Sequence, residues 1–69
     1  MKGSLEELIG ERVTLFCGNY IYTGKLTRVT DSCVLLWDVS IYLKQKGSQF
    51  LPQDLYVSIS SIKSFGKLK

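Results

Sequence analysis

The 69 residues include no histidine. The side chain most often used as a general base near neutral pH is therefore missing. The six carboxylates are Glu6, Glu7, Glu11, Asp31, Asp38 and Asp54, and no motif brings two of them together as an acid–base pair. Cys17 and Cys33 have no evident activating partner, whereas a reactive thiolate needs a neighbouring base or positive field. As small apolar residues in strand-like segments, both are expected in the core. A structural zinc site normally takes four Cys or His ligands, and two cysteines sixteen residues apart do not supply them. No Gly-rich phosphate loop follows a strand-like segment. The chemistry that remains is binding. Tyr20, Tyr22, Tyr42 and Tyr56 could offer faces on which bases stack, and Lys25, Arg28, Lys44, Lys46, Lys63, Lys67 and Lys69 could neutralise phosphates. The same tyrosines could equally pack at strand edges or subunit contacts, with the lysines simply solvated. The sequence thus predicts a protein that is not an enzyme and uses no metal, cofactor or small-molecule substrate.

Nine Lys and Arg against six Asp and Glu give a net charge of +3, which permits an anionic partner without demanding one. The 45% hydrophobic and 22% charged shares are ordinary for a globular domain and argue against disorder. The longest apolar run, Cys33 to Trp37, is far too short to span a membrane, and no apolar signal-peptide core follows Met1-Lys2. The expectation is one cytoplasmic domain, residues 1–69, with reduced thiols and no membrane partner. A chain this short buries only roughly 60% of its unfolded surface. With no disulfide or metal staple, either self-association or a well-packed small barrel has to support the thin core.

The elements that would position these residues are mostly strands. Ser4 and Glu7 have capping-box spacing, and Leu5, Leu8 and Ile9 fall on one helical face, so a short helix is predicted over residues 4–9, ended by Gly10. Beyond Gly10 the composition turns to Val, Ile, Thr, Tyr and Phe, which favour strands. Strands are predicted over 12–17, 20–29, 33–42, 55–59 and 62–65. Gly18-Asn19 reads as a hairpin turn. Gly24 lies inside the second strand and marks a bend or a close backbone approach. The apolar parity also slips between Leu26 and Val29, as a bulge would require. Thr30-Asp31-Ser32 is a turn. The run from Cys33 to Trp37 is apolar at every position, so both faces should be covered, with Trp37 in the core. Residues 44–49 are polar with a central Gly47 and could form a loop or the tip of a long two-stranded ribbon. Pro52 signals an edge or irregular backbone. The fold class expected is mainly β: a short N-terminal helix and a five-stranded, strongly bent antiparallel small barrel.

These segments resemble the Sm-like superfamily, which includes the Hfq-type RNA chaperones. The run Leu5 to Phe16 resembles the family's N-terminal helix and first strand. Tyr22-Thr23-Gly24-Lys25-Leu26-Thr27-Arg28-Val29 resembles its bent second strand with Gly-x-Leu. Val34-Leu35-Leu36 resembles the third strand, and Val57 to Phe65 the fourth and fifth around a short turn. The resemblance covers residues 4–65. It implies a cyclic homo-oligomer in which the fourth strand of one subunit pairs with the fifth of the next, through Leu55, Tyr56, Val57, Ser58, Ile59, Ile62, Lys63 and Phe65. It also implies RNA held at two pore loops, and here the sequence departs from the family. The first loop should carry Asp, a stacking side chain and Asn at alternate positions, but one register offers Thr30, Ser32 and Val34, the other Asp31, Cys33 and Leu35. The second loop should carry Arg-Gly or Tyr-Lys-His, but Ser58-Ile59-Ser60-Ser61 stands there. Function belongs to the site rather than the fold. The expectation is therefore a ring that binds RNA weakly with little base selectivity, through Lys25, Arg28 and Lys63 with Tyr22 as a stacking face. The alternatives are a structural or protein-interaction ring without RNA, and a monomeric SH3-like peptide-binding module.

Overall fold

The computed structural model describes residues 2–43, 47–51 and 54–68. A helix α1 (Lys2–Glu6) leads into β1 (Arg12–Cys17), β2 (Tyr20–Val29), β3 (Cys33–Leu43), β4 (Gly47–Leu51), β5 (Leu55–Ser58), a 3-10 turn (Ile59–Ser61) and β6 (Ser64–Lys67). All pairings are antiparallel. The strand order is β4-β3-β2-β1-β6, with β5 also on β3. The long β3 thus holds β5 along Cys33–Leu36 and β4 along Val39–Leu43. Mainly β architecture with an N-terminal helix matches the expectation, and for the described part of the 44–49 segment, Gly47–Gln49, the pairing of β4 with β3 favours the ribbon reading over the loop. Lys44, Lys46, Pro52 and Lys69 lie outside the described residues.

The sheet bends where the sequence slips. Between the pairs Thr23–Ser40 and Lys25–Trp37, Gly24 faces two residues of β3, Asp38 and Val39. A Cβ at Gly24 would sit 3.0 Å from the Trp37 carbonyl oxygen, so only glycine lets the two backbones come this close. Asp38 absorbs the extra residue with a left-handed φ of 59°, a conformation Asp tolerates better than most side chains. A second irregularity falls between Leu26 and Arg28, which explains the parity change toward Val29. At the first hairpin, Cys17 pairs with Tyr20 across Gly18-Asn19. Gly18 has φ 68° and Asn19 does not share its positive sign, the pattern of a II′ turn.

Leu5, Val13, Leu15, Leu26, Val34, Leu36, Val39, Val57 and Ile62 form the buried core. Four sequence expectations need correction. The helix occupies Lys2–Glu6 rather than 4–9, which places Ser4 inside it and not at a capping position. The chain then tightens, with the Leu8 amide donating to Leu5 O and the Ile9 amide to Glu6 O. These three-residue steps put Leu8 beneath Leu5, so Leu8 packs on the core while Ile9 is exposed. Trp37 is not core but 51% exposed. The last two strands are displaced: β5 stops at Ser58, Ile62 enters the core after the 3-10 turn, and pairing with β1 resumes over Ser64–Lys67. Finally, neither cysteine is fully buried, although Cys17 packs against the core.

The helix-to-strand link is tied back to the sheet. The Gly10 amide donates to Leu26 O at 2.7 Å, and the Leu26 amide to Glu11 O at 2.9 Å. Gly10 has φ 94°, the left-handed stop its position predicted. Among the described residues the sheet does not close on itself. Within those residues the outer edges of β4, β5 and β6 have no strand partner.

Candidate functional site

Two loops that are distant in sequence meet at one end of the sheet. Thr30 shapes the first: its Oγ1 accepts from the Ser32 and Cys33 amides at 3.3 and 3.0 Å and donates to Cys33 O at 3.1 Å. The Ile59 amide then donates to Ser32 O at 2.9 Å, which places the 3-10 turn against the 30–32 loop. The hydroxyls there are largely spent on each other. Ser58 and Ser60 share a hydrogen bond of 2.9 Å, and Ser61 donates to Ser58 O at 2.7 Å. These loops supply hydroxyls and the Asp31 carboxylate, with no aromatic ring and no cation of their own.

The predicted cations are exposed but dispersed. Lys25 lies opposite Arg12 on β1 and opposite Trp37 on β3. Arg28 lies opposite Leu35, which in turn lies opposite Tyr56. Residues directly opposite in a sheet share a face, and the alternating Leu26, Val34, Leu36 and Val57 are buried. Lys25 and Arg28 therefore stand on the outer face of β2. Lys63 is exposed, and its amide donates to Phe16 O at 2.7 Å. It sits by the opposite end of β1 from Arg12, about 13 Å along the strand. Among the described residues none of Lys25, Arg28 and Lys63 is in an ion pair, whereas Lys67 pairs with Glu11 at 3.1 Å and Arg12 with Asp38 at 3.3 Å.

Tyr22 is three residues from Lys25 and faces the other way. It lies opposite Leu15 and Ile41, packs against the core and stacks on Tyr20, with centroids 6.2 Å apart and planes 13° from parallel. Burial, then the neighbouring Cys17 and Tyr20, hold its phenol above the ordinary value. Burial likewise raises the Cys17 thiol, partly offset by a hydrogen bond with the Ser61 side chain. A raised thiol is a weakly nucleophilic one at neutral pH.

The residues expected at the subunit contact divide similarly. Val57 and Ile62 are in the subunit's own core, and Leu55, Ile59 and Phe65 pack against it. Tyr56, Ser58 and Lys63 are exposed. Among the described residues the outer backbone edges of β5 and β6 have no strand partner. Sequence reasoning missed Arg12 and the exposed Trp37. The signal for Trp37 was parity, because it alternates with the buried Val34 and Leu36.

No protein-family model and no curated protein matches the sequence. Solved structures do resemble the fold. An Sm protein of Pyrococcus abyssii, solved in complex with a uridine heptamer, superposes with a TM-score of 0.81 at 9% identity, covering 96% of this chain and 94% of that one. An SmAP (LSm) protein from Methanococcus vannielii superposes with a TM-score of 0.73 at 18% identity over 91% of this chain and 87% of its own. A chain of the NatC complex bound to Gag peptide and CoA gives 0.74 at 22% identity, covering 88% and 86%. The chain has an Sm-like fold.

Proposed function

We propose that copies of this chain form a cyclic homo-oligomer, with β5 of one subunit pairing with β6 of the next, and that the ring binds RNA weakly and with little base selectivity. The observation that carries the reading is that, among the described residues, the sheet is open on both sides, at β4 and β5 on one and at β6 on the other. An open edge is a template for another strand, and a head-to-tail contact that repeats and closes gives a ring. Main-chain pairing needs no free side chains, so it is compatible with Val57 and Ile62 already being in the core. The small core, nine buried hydrophobic residues among those described, favours extra burial between subunits.

RNA as the partner class is supported by the uridine heptamer on the Pyrococcus abyssii Sm protein and by Lys25 and Arg28, which stand on one face of β2 in no ion pair among the described residues. Weak selectivity follows from loops that offer hydroxyls rather than stacking rings or amides. The protein acts by binding, without catalysis, in the cytoplasm. No helix among the described residues is long and apolar enough to cross a membrane.

The test is light scattering together with anisotropy of a labelled single-stranded RNA at low and moderate salt. The reading expects one oligomeric mass across dilution and an affinity that falls steeply with salt. A stable oligomer that ignores RNA even at low salt would replace it with the protein-interaction ring. That second reading has one observation in its favour, the two loops whose own residues include no aromatic ring and no cation.

A further inference from the structure

The outer face of the bent half of the sheet carries a group of residues that the loops do not explain. Trp37 is 51% and Tyr56 63% exposed. They stand on neighbouring rows: Arg12–Lys25–Trp37 across β1, β2 and β3, and Arg28–Leu35–Tyr56 across β2, β3 and β5. Diagonal neighbours on adjacent strands are about 7–8 Å apart, within reach of two large rings. Among the described residues the one ring pair is Tyr20–Tyr22, so neither Trp37 nor Tyr56 stacks on another ring.

The charge around these rings has one sign in excess. Arg12 holds the Asp38 carboxylate at 3.3 Å and also donates to the Asp38 carbonyl at 3.3 Å. That leaves Lys25 and Arg28, on the rows of Trp37 and Tyr56, without an ion pair among the described residues. The half-buried Leu35 lies between the aromatic residues and adds apolar floor. Flat rings beside cations are what a single-stranded nucleic acid needs, because bases stack on the rings while phosphates meet the charges. A purely apolar partner would leave Lys25 and Arg28 without counter-charge. The face is also positioned to remain accessible in a ring. Edge pairing engages the β5 backbone and leaves Tyr56 on the sheet face.

We infer that this outer face, with Trp37 and Tyr56 as stacking platforms and Lys25 and Arg28 as phosphate contacts, is the single-stranded RNA site. It is separate from the serine-rich loops and does not use Tyr22 or Lys63. The inference rests on the RNA reading proposed above and assigns it a place.

Trp37 is the chain's one tryptophan, so its emission reports on the site directly. The intact protein is titrated with a mixed-sequence single-stranded RNA while intrinsic fluorescence and anisotropy of the labelled RNA are followed together. The expected result is quenching of Trp37 in step with binding, and a loss of about tenfold in affinity for each of Trp37→Ala and Tyr56→Ala. Lys25→Ala and Arg28→Ala should each lower the salt slope by about one. Both aromatic positions are exposed, and circular dichroism of each variant checks that it folds. If RNA binds with no change in Trp37 emission and equal affinity for both aromatic variants, the placement is overturned while RNA binding stands. If RNA does not bind the intact protein at low salt, the RNA reading fails and the placement falls with it.

Discussion

Gly24→Ala tests the structural reasoning most sharply. The added Cβ would lie 3.0 Å from the Trp37 carbonyl oxygen and 3.4 Å from Leu36 Cβ and Val39 Cγ2. The nearest atom is backbone, so a rotamer change cannot relieve the contact. The β2–β3 bend has to open by a few tenths of an ångström. Overpacking of this kind costs about 1–3 kcal/mol. Removing glycine's freedom from the unfolded chain returns about 0.4–1 kcal/mol. The net loss should be centred near about 1.3 kcal/mol, within about 0–2.6 kcal/mol. That is a large part of the ~3–10 kcal/mol total stability usual for this length. Urea unfolding followed by circular dichroism, at one fixed protein concentration because assembly shifts apparent stability, reads it out. With a slope near the low end, about 1 kcal/mol per molar, the midpoint should fall by about 1.3 M. Gly66→Ala is the internal control. Its Cβ meets nothing within 4 Å, so it should be neutral or stabilising by up to about 1 kcal/mol. Equal midpoints for the two variants would refute the close approach at Gly24.

Three further outcomes follow from the same geometry. Leu36→Ala, at a fully buried position flanked by β2 and β5, should cost about 2–5 kcal/mol and lower the thermal midpoint steeply. Asp38→Val, which puts a β-branched residue at φ 59°, should lose about 1–2 kcal/mol; Asp38→Asn, which loses only the exposed pair with Arg12, should lose less than about 1 kcal/mol, and chemical denaturation ranks the two. Burial raises both the Cys17 thiol and the Tyr22 phenol in the folded chain, so the folded state keeps these protons to higher pH than the unfolded chain. Their contribution is intact below the ordinary thiol value of 9.0 and is lost as pH rises through the folded values. Stability should therefore decline on the alkaline side, and less so in Cys17→Ala and Tyr22→Phe. An alkaline limb unchanged by both substitutions would contradict it.

Much of the fold was legible because backbone punctuation is local. Gly10, Gly18 and Gly24 each mark a position that the structure fills with a left-handed φ or a close approach. The parity slip before Val29 became a register shift. What failed depended on long-range packing. A continuous apolar run, Cys33 to Trp37, looks the same whether one or both faces are covered, and only the folded structure shows the tryptophan half-exposed. The helix shifted because Leu5 and Leu8 meet the core in a tight turn rather than a regular helix. At the candidate site, residue types were readable and their faces were not. Lys25 and Arg28 stand on the outer face, while Tyr22 turned inward because its strand partner Leu15 is core.

The ring is the central claim, and a native mass spectrum of the protein as purified tests it most directly. The account predicts a single closed stoichiometry of several subunits, with added mass that ribonuclease removes. A monomer at micromolar concentration would contradict it, because the β5 and β6 edges would then be open in solution with nothing to pair them.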